Sequence, residues 1–170
     1  DFEAIFSHIY KVYKVTPNAE ITLEANPDDL TSEYISMLRT FPFNRISMGI
    51  QTFQETTLKQ LQRRHTADQA IRAFQGCRTA GFQNISIDLM YGLPGETLTS
   101  WKKDLKQALS LHPEHISAYH LIYEEGTPLW KLREQHKVEE ADEDLSVSLF
   151  GTLIDELTTA GYEHYEISNF

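Results

Sequence analysis

Segments that read as strands alternate with segments that read as helices, and the strands are apolar on one face only. An Ile followed by Ser or Thr recurs at Ile21-Thr22, Ile46-Ser47, Ile85-Ser86, Ile116-Ser117 and Ile167-Ser168. Each pair opens a strand-like segment, which predicts strands over 20–26, 45–51, 84–91, 115–122 and 163–170. Helical periodicity fills the gaps, over 31–41, 67–80, 98–111 and 143–160, and an amphipathic pattern from Phe2 to Tyr13 precedes them. Thr66 with Gln69 predicts a capping box, and Gly81 and Gly161 suit helix C-terminal ends. Strand-helix alternation calls for βαβ units and a parallel sheet.

A parallel sheet covered by helices on both faces is apolar on both. Here Ile21/Leu23/Ala25, Ile46/Met48/Ile50 and Ile85/Ile87/Leu89 form one apolar face, while Thr22/Glu24/Asn26, Ser47/Gly49/Gln51 and Ser86/Asp88/Met90 form the other. One arrangement satisfies both faces: an α/β partial (β/α) barrel with helices outside and a polar interior open to a ligand. Glu24, Gln51 and Asp88 then stand at similar depths on three neighbouring strands. A carboxylate buried without donors or a cation costs several kcal/mol. A ligand bearing hydroxyls and an ammonium group would supply what they lack. A self-contained network with Arg45, Asn26 and the serines is the structural alternative.

Other candidates are weaker taken alone. Gly92-Leu93-Pro94-Gly95 opens a strand-to-helix loop where backbone can approach a ligand, with free N–H groups expected at the helix start of Glu96-Thr97. As an isolated element it reads as a tight turn. Arg63 and Arg64 end the helical segment after Gln51, where an arginine can clamp a carboxylate. Of the seven histidines, His112 and His115 read as surface residues and His120 as a packed residue of the barrel wall. Trp101 and Trp130 read as packing anchors.

Composition narrows the partners. The formal net charge of −10 argues against nucleic acid. No apolar run is long enough to span a bilayer. The one cysteine, Cys77, lies on the apolar stripe of its helix, so no internal disulfide and no cysteine-based metal site can be built from it; a cytoplasmic location fits. The chain starts with Asp1 inside a helical pattern and stops in a strand-like segment, which reads as an internal piece of a longer protein, residues 1–170 forming part of one domain. An edge strand at 20–26 would then be open to self-association.

Five motifs together resemble a known family: ITLEANP at 21–27, NRISMGIQTF at 44–53, IDLMYGLPG at 87–95, HISAY at 115–119 and YEISNF at 165–170. In order and spacing they are similar to the oxygen-independent coproporphyrinogen III oxidase family of radical S-adenosylmethionine (SAM) proteins, the LEANP and YEISNF forms being more like its haem-chaperone branch. The resemblance implies strands three to six of a six-stranded partial barrel. It places outside this chain both a Cys-x-x-x-Cys-x-x-Cys loop holding a four-iron four-sulfur cluster and a glycine-rich SAM loop. It implies SAM contacts at Glu24 and, by its backbone, at Ile122. Around a further SAM position it implies Gln51, Arg63 and Asp88. No catalytic residue or metal ligand falls in this chain, which alone would be inactive. The implied activity of the longer protein is oxidative decarboxylation of coproporphyrinogen III propionates. The alternative is a haem chaperone that binds and delivers haem, and a third reading is a metal-dependent β/α-barrel enzyme with an ion between Glu24 and Asp88.

Overall fold

A computed structural model describes residues 2–170. Four strands, β1 (Thr22–Ala25), β2 (Arg45–Gln51), β3 (Asn84–Tyr91) and β4 (His115–His120), form one sheet in the order β1-β2-β3-β4, every pair parallel. The helices are α1 (Phe2–Val12), α2 (Ser32–Leu38), α3 (Glu55–Gln60), α4 (Ala67–Thr79), α5 (Leu98–Ser110), α6 (Pro128–Glu134) and α7 (Glu143–Thr159), with a 3₁₀ turn at Pro27–Asp29. The expected α/β partial barrel is what the chain forms, with α2, α4, α5 and α7 packed on one face of the parallel sheet.

The apolar strand positions meet those helices. Ile46, Met48, Ile50, Ile85, Ile87, Leu89 and Ile116 are fully buried. They share one core with Leu38 of α2, Phe74 and Cys77 of α4, Trp101 and Leu105 of α5, and Leu149, Leu153 and Leu157 of α7. α1 docks at one end through Phe2 and Phe6, which pack edge-on and stacked against Phe41 and Phe43. The Thr66–Gln69 capping box forms in both directions, and a second, Thr97–Ser100, starts α5. Gly81 and Gly161 close α4 and α7 in the left-handed region, at φ +95° and +97°. Asn44 pins the entry of β1: its side chain accepts from the Ile21 N–H and donates to the Ala19 carbonyl, both at 2.8 Å.

The last segment departs from expectation. Residues 163–170 do not form a strand continuing the parallel sheet. The tail returns antiparallel to β4 through an isolated bridge, Ser117 to Asn169, with Ile116 and Phe170 exchanging backbone hydrogen bonds of 3.1 and 3.0 Å. It then turns on itself at Glu166–Asn169. The cause is local: the Glu166 carboxylate takes the Ser168 N–H and the Asn169 amide, which folds the tail over three residues instead of letting it extend.

Two predictions follow from this packing. Trp101→Ala is expected to lower stability by about 3–5 kcal/mol in chemical denaturation, because the indole fills the core between the sheet and α7 and its Nε1–H is held by the Leu149 carbonyl at 3.1 Å. The outer edge of β1 has no strand partner among the described residues, so sedimentation velocity should show concentration-dependent self-association; a monomer at every concentration would count against edge pairing.

Candidate functional site

The polar strand face is uncovered by helix and lines a hollow of about 830 Å³. Glu24 of β1, Ser47 and Gln51 of β2, Asp88 of β3 and Ser117 of β4 all face it. A recess of about 370 Å³ continues it over Asn26, Gly49 and Gln51. The three residues placed together from sequence, Glu24, Gln51 and Asp88, share this hollow.

Register explains how. Thr22 to Ala25 pair in order with Arg45 to Met48, which sets Glu24 beside Ser47; Gly49 lies beside Asp88, and Asp88 beside Ser117. A register shift between Gly49 and Gln51 ends β2, and Gln51 adopts φ +70°, a left-handed backbone that costs energy in a non-glycine residue. The bend swings the Gln51 amide back over Gly49. A Cβ there would stand 3.0 Å from Gln51 Nε2, so the glycine makes room for the amide.

The electrostatics are one-sided. Glu20, Glu24, Asp88 and Glu114 line the hollow with a single guanidinium, Arg45. Glu114 is paired with Arg78 at 2.6 Å, and Arg45 reaches toward Glu20 at 3.9 Å. Among the described residues neither Glu24 nor Asp88 has an ion-pair partner, and Arg45 acts on Asp88 only through its more distant charge. Asp88 has only long contacts from Ser47 Oγ, at 3.4 and 3.5 Å. Burial pushes its carboxyl above the usual range and the Glu24 charge adds to the rise, while the Ser47 and Ser117 hydroxyls and the Arg45 charge pull it down.

The remaining sequence candidates divide. Arg63 does not line the hollow: its Nη2 donates to Asn26 Oδ1 at 2.6 Å and to the Gly49 carbonyl at 2.9 Å, buttressing the wall of the recess. Arg64 pairs with Asp28 at 2.7 Å. Ile122 lies in the loop after β4 with its side chain 75% exposed and outside the hollow. Gly92 and Gly95 take φ +74° and +72°, and a Cβ on Gly92 would fall 2.6 Å from the His120 ring. The N–H groups expected to be free at Glu96-Thr97 are taken, that of Glu96 by the Leu93 carbonyl at 2.9 Å, and so are those earlier in the loop. Those of Gly92 and Leu93 donate to Glu96 Oε2, at 2.6 and 3.3 Å, and that of Thr97 donates to Ser100 Oγ. The loop is therefore a self-satisfied turn.

Of the two histidine expectations, that for His115 is overturned. His115 lines the hollow, its ring bridging Ser86 Oγ and the Tyr165 hydroxyl at 2.8 Å each. Alternation put His115 on the polar face, but the Pro113 beside it suggested a surface turn. His120, at the end of β4, is packed as expected: its ring sits edge-on to Tyr91 at 5.1 Å and contacts Ser146 Oγ at 3.0 Å and the Leu121 carbonyl at 2.8 Å.

Two groups went unread in the sequence. Asp104 of α5 is fully buried and accepts from Thr52 Oγ1 (2.5 Å), Gln54 Nε2 (2.9 Å) and the Phe53 N–H (3.2 Å), fixing the chain just after Gln51. Its signal was an acid one turn after Trp101 on an otherwise apolar stripe. His65 is also buried, and its Nε2–H donates to the Ile50 carbonyl at 3.1 Å, holding the residue before the bend.

The model of the Radical SAM superfamily matches residues 1–108. The chain belongs to the radical SAM superfamily. Among radical SAM relatives, the heme chaperone HemW of Lactococcus lactis is 40% identical over 151 residues, covering 89% of this chain and 40% of that protein. HemW of Bacillus subtilis is 37% identical over 152 residues, with the same coverage. The mitochondrial radical S-adenosyl methionine domain-containing protein 1 of mouse is 32% identical and covers 99% of this chain and 37% of that protein. In structure, the coproporphyrinogen III oxidase HemN of Escherichia coli, a radical SAM enzyme, superposes with a TM-score of 0.84 at 24% identity, over 99% of this chain and 39% of that one, which shows a shared fold. The chain thus spans about 40% of the length of the HemW relatives it matches.

The residues present suit part of what radical SAM chemistry uses. Two unpaired carboxylates and an amide on one wall suit a ligand with a positive charge and hydroxyls. The cluster has no ligand set here: Cys77 is the only cysteine, and burial in the core pushes its thiol up to about 11.

The loop after β3 yields a pH prediction. Burial raises the Glu96 carboxyl to about 7, against the pull of the Leu93 and Gly92 N–H groups. In the unfolded chain Glu96 ionises near 4.5, so between those values the folded state holds more protons and stability falls as pH rises. Denaturation of Glu96→Gln, which keeps an acceptor oxygen for the loop, should lose that decline between about pH 4.5 and 7 and gain on the order of 2 kcal/mol over the parent at pH 8.

Proposed function

We propose that this chain is the central part of a haem chaperone of the radical SAM superfamily, and that its hollow holds SAM. The observation that carries the reading is the charge of the hollow: Glu24 and Asp88 face it with no ion-pair partner among the described residues. SAM offers a sulfonium, an ammonium and ribose hydroxyls, which match carboxylates and the Gln51 amide. Coproporphyrinogen III and haem carry propionates, which these carboxylates would repel, so the tetrapyrrole is assigned to surfaces other than this wall.

The chaperone reading takes precedence over oxidative decarboxylation because the relatives at 37–40% identity are named heme chaperones, whereas the likeness to HemN is one of fold. The metal-enzyme reading lacks a donor set: among the described residues no three His, Cys, Asp or Glu side chains converge.

In the mechanism that follows, this chain binds and orients. A four-iron four-sulfur cluster, held by cysteines of the longer protein, would supply the electron that cleaves SAM. Glu24 would take ribose hydroxyls or the ammonium, and Asp88 and Gln51 would line the polar end of the site, with Gly49 and the bent Gln51 setting the distance of closest approach. Asp104 and His65 hold that bend from behind. Arg63, engaged with Asn26 and the Gly49 carbonyl, supports the wall rather than clamping a ligand.

The test uses the longer protein with its cluster reconstituted anaerobically. Haem is expected to bind, and coproporphyrinogen III to keep its propionates. Glu24→Gln is expected to weaken SAM by about tenfold, the worth of about 1.4 kcal/mol of lost charge-assisted bonding, while leaving haem affinity unchanged. Release of carbon dioxide from coproporphyrinogen III would replace the chaperone reading with the oxidase one. An unchanged SAM affinity would remove Glu24 from the site.

A further inference from the structure

Behind the recess, two buried atoms face each other without a hydrogen bond. The His65 side chain has no exposed surface, and that of Asp28, in the 3₁₀ turn after β1, is 14% exposed. His65 Nδ1 and Asp28 Oδ1 are both buried and, among the described residues, unpartnered; they lie 3.9 Å apart. A hydrogen bond does not span that distance. Chemistry fixes what each atom offers. The Ile50 carbonyl, 3.1 Å from His65 Nε2, can only accept, so Nε2 carries a proton. A neutral imidazole has one N–H, so its Nδ1 presents a lone pair. Arg64 holds Asp28 Oδ2 at 2.7 Å as a carboxylate, and Oδ1 presents a lone pair too. Two buried acceptors therefore meet, an arrangement that costs free energy until a donor enters it.

One proton resolves the conflict. With both nitrogens protonated, His65 keeps the Ile50 carbonyl and gains Asp28. A charge-assisted bond of about 2.8 Å then requires the two groups to close by about 1 Å. The groups facing the ring act in both directions. Burial opposes the second proton most, and the Arg63 charge opposes it too; the Ile50 carbonyl, Asp28 of the turn and Glu55 of α3 favour it. The balance holds the ring below the 6.5 of an ordinary histidine, so it is neutral at neutral pH and takes its second proton in acid. Arg64 holds Asp28 from the other side and resists closure, but its side chain is 68% exposed, so water screens that hold.

Both sides of the gap carry the recess. The turn begins at Asn26, and Asn26 and Asp29 line the recess together with Gly49 and Gln51 of β2. Ile50, whose carbonyl His65 holds, lies between those two β2 residues. We propose that His65 and Asp28 form a proton-operated latch between the loops after β1 and β2, open while the ring is neutral and closed by a direct Nδ1–H to Oδ1 bond when the ring gains a proton. The step is balanced: a neutral imidazole takes one proton from solvent, and an imidazolium paired with the carboxylate results. Closure draws the Pro27–Asp29 turn toward the bend at Gln51, so acid changes the shape of the recess and not only its charge. The latch is built from this chain's own residues and does not rest on SAM being the ligand.

The experiment is an NMR titration of the ligand-free full chain, ¹⁵N-labelled in its histidine rings and backbone, from about pH 7.5 to 5. At the start the His65 ring should carry its one proton on Nε2. On acidification Nδ1 should protonate with a midpoint below 6.5, and the Asn26, Gly49 and Gln51 amide signals should move with that midpoint. Asp28→Asn, alike in shape but without the charge, should lower the midpoint by about one pH unit. His65→Gln keeps an N–H for the Ile50 carbonyl and should abolish the shared step in the three amides; if that variant does not fold, Asp28→Asn decides alone. Crystals grown above and below the midpoint should show the Nδ1–Oδ1 distance falling from 3.9 Å to about 2.8 Å. Any of four results would overturn the latch: a proton on Nδ1 at the start, amides that do not follow the ring, a midpoint that Asp28→Asn leaves unchanged or raises, or a water seated between the two atoms on both sides of the midpoint.

Discussion

The structure depends on covering only one face of a parallel sheet. Helices α2, α4, α5 and α7 bury Ile46, Met48, Ile50, Ile85, Ile87 and Leu89, and that apolar seam is the core of the chain. The other face receives no helix, so Ser47, Asp88 and Ser117 can sit partly out of water without displacing core. Because strands in register place equivalent residues side by side, three polar positions on three strands become one site. A carboxylate at Asp88 would be ruinous on the helical face and is useful on this one.

Precision at the site comes from behind the sheet. The bend at Gln51 is an unfavourable backbone conformation, and it is held by two buried polar groups: His65 on the Ile50 carbonyl and Asp104 on Thr52, Phe53 and Gln54. Arg63 ties the ends of β1 and β2 through Asn26 and Gly49. Thus these buried polar groups fix the loop that carries an amide facing the hollow. The loop after β3 follows the same economy, with Glu96 satisfying the N–H groups of Gly92 and Leu93.

Much of this was legible in the sequence, and the rest was not for identifiable reasons. Period-two alternation against helical periodicity specified all four strands and the four long helices that follow them, because burial on one face leaves a direct imprint on residue type. The same alternation placed Glu24, Gln51 and Asp88 in one hollow. It failed at the tail, where YEISNF alternates like a strand but Glu166 captures the backbone and side chain two and three residues on. The surface reading of His115 also failed, because one of its ring contacts comes from a residue remote in sequence, Tyr165. Asp104 was hidden because a single acid on an amphipathic helix looks like surface until its three donors, all from another loop, are in view.

The account stands on the sign of the field in the hollow: two carboxylates, at Glu24 and Asp88, awaiting positive charge. The most direct measurement compares the affinities of SAM and S-adenosylhomocysteine, which differ in the sulfonium charge, for the cluster-reconstituted longer protein at neutral pH and low salt. The account predicts that SAM binds about tenfold more tightly, and that the preference shrinks when Glu24 and Asp88 are both made neutral amides. Equal affinities, or a preference for S-adenosylhomocysteine, would contradict it.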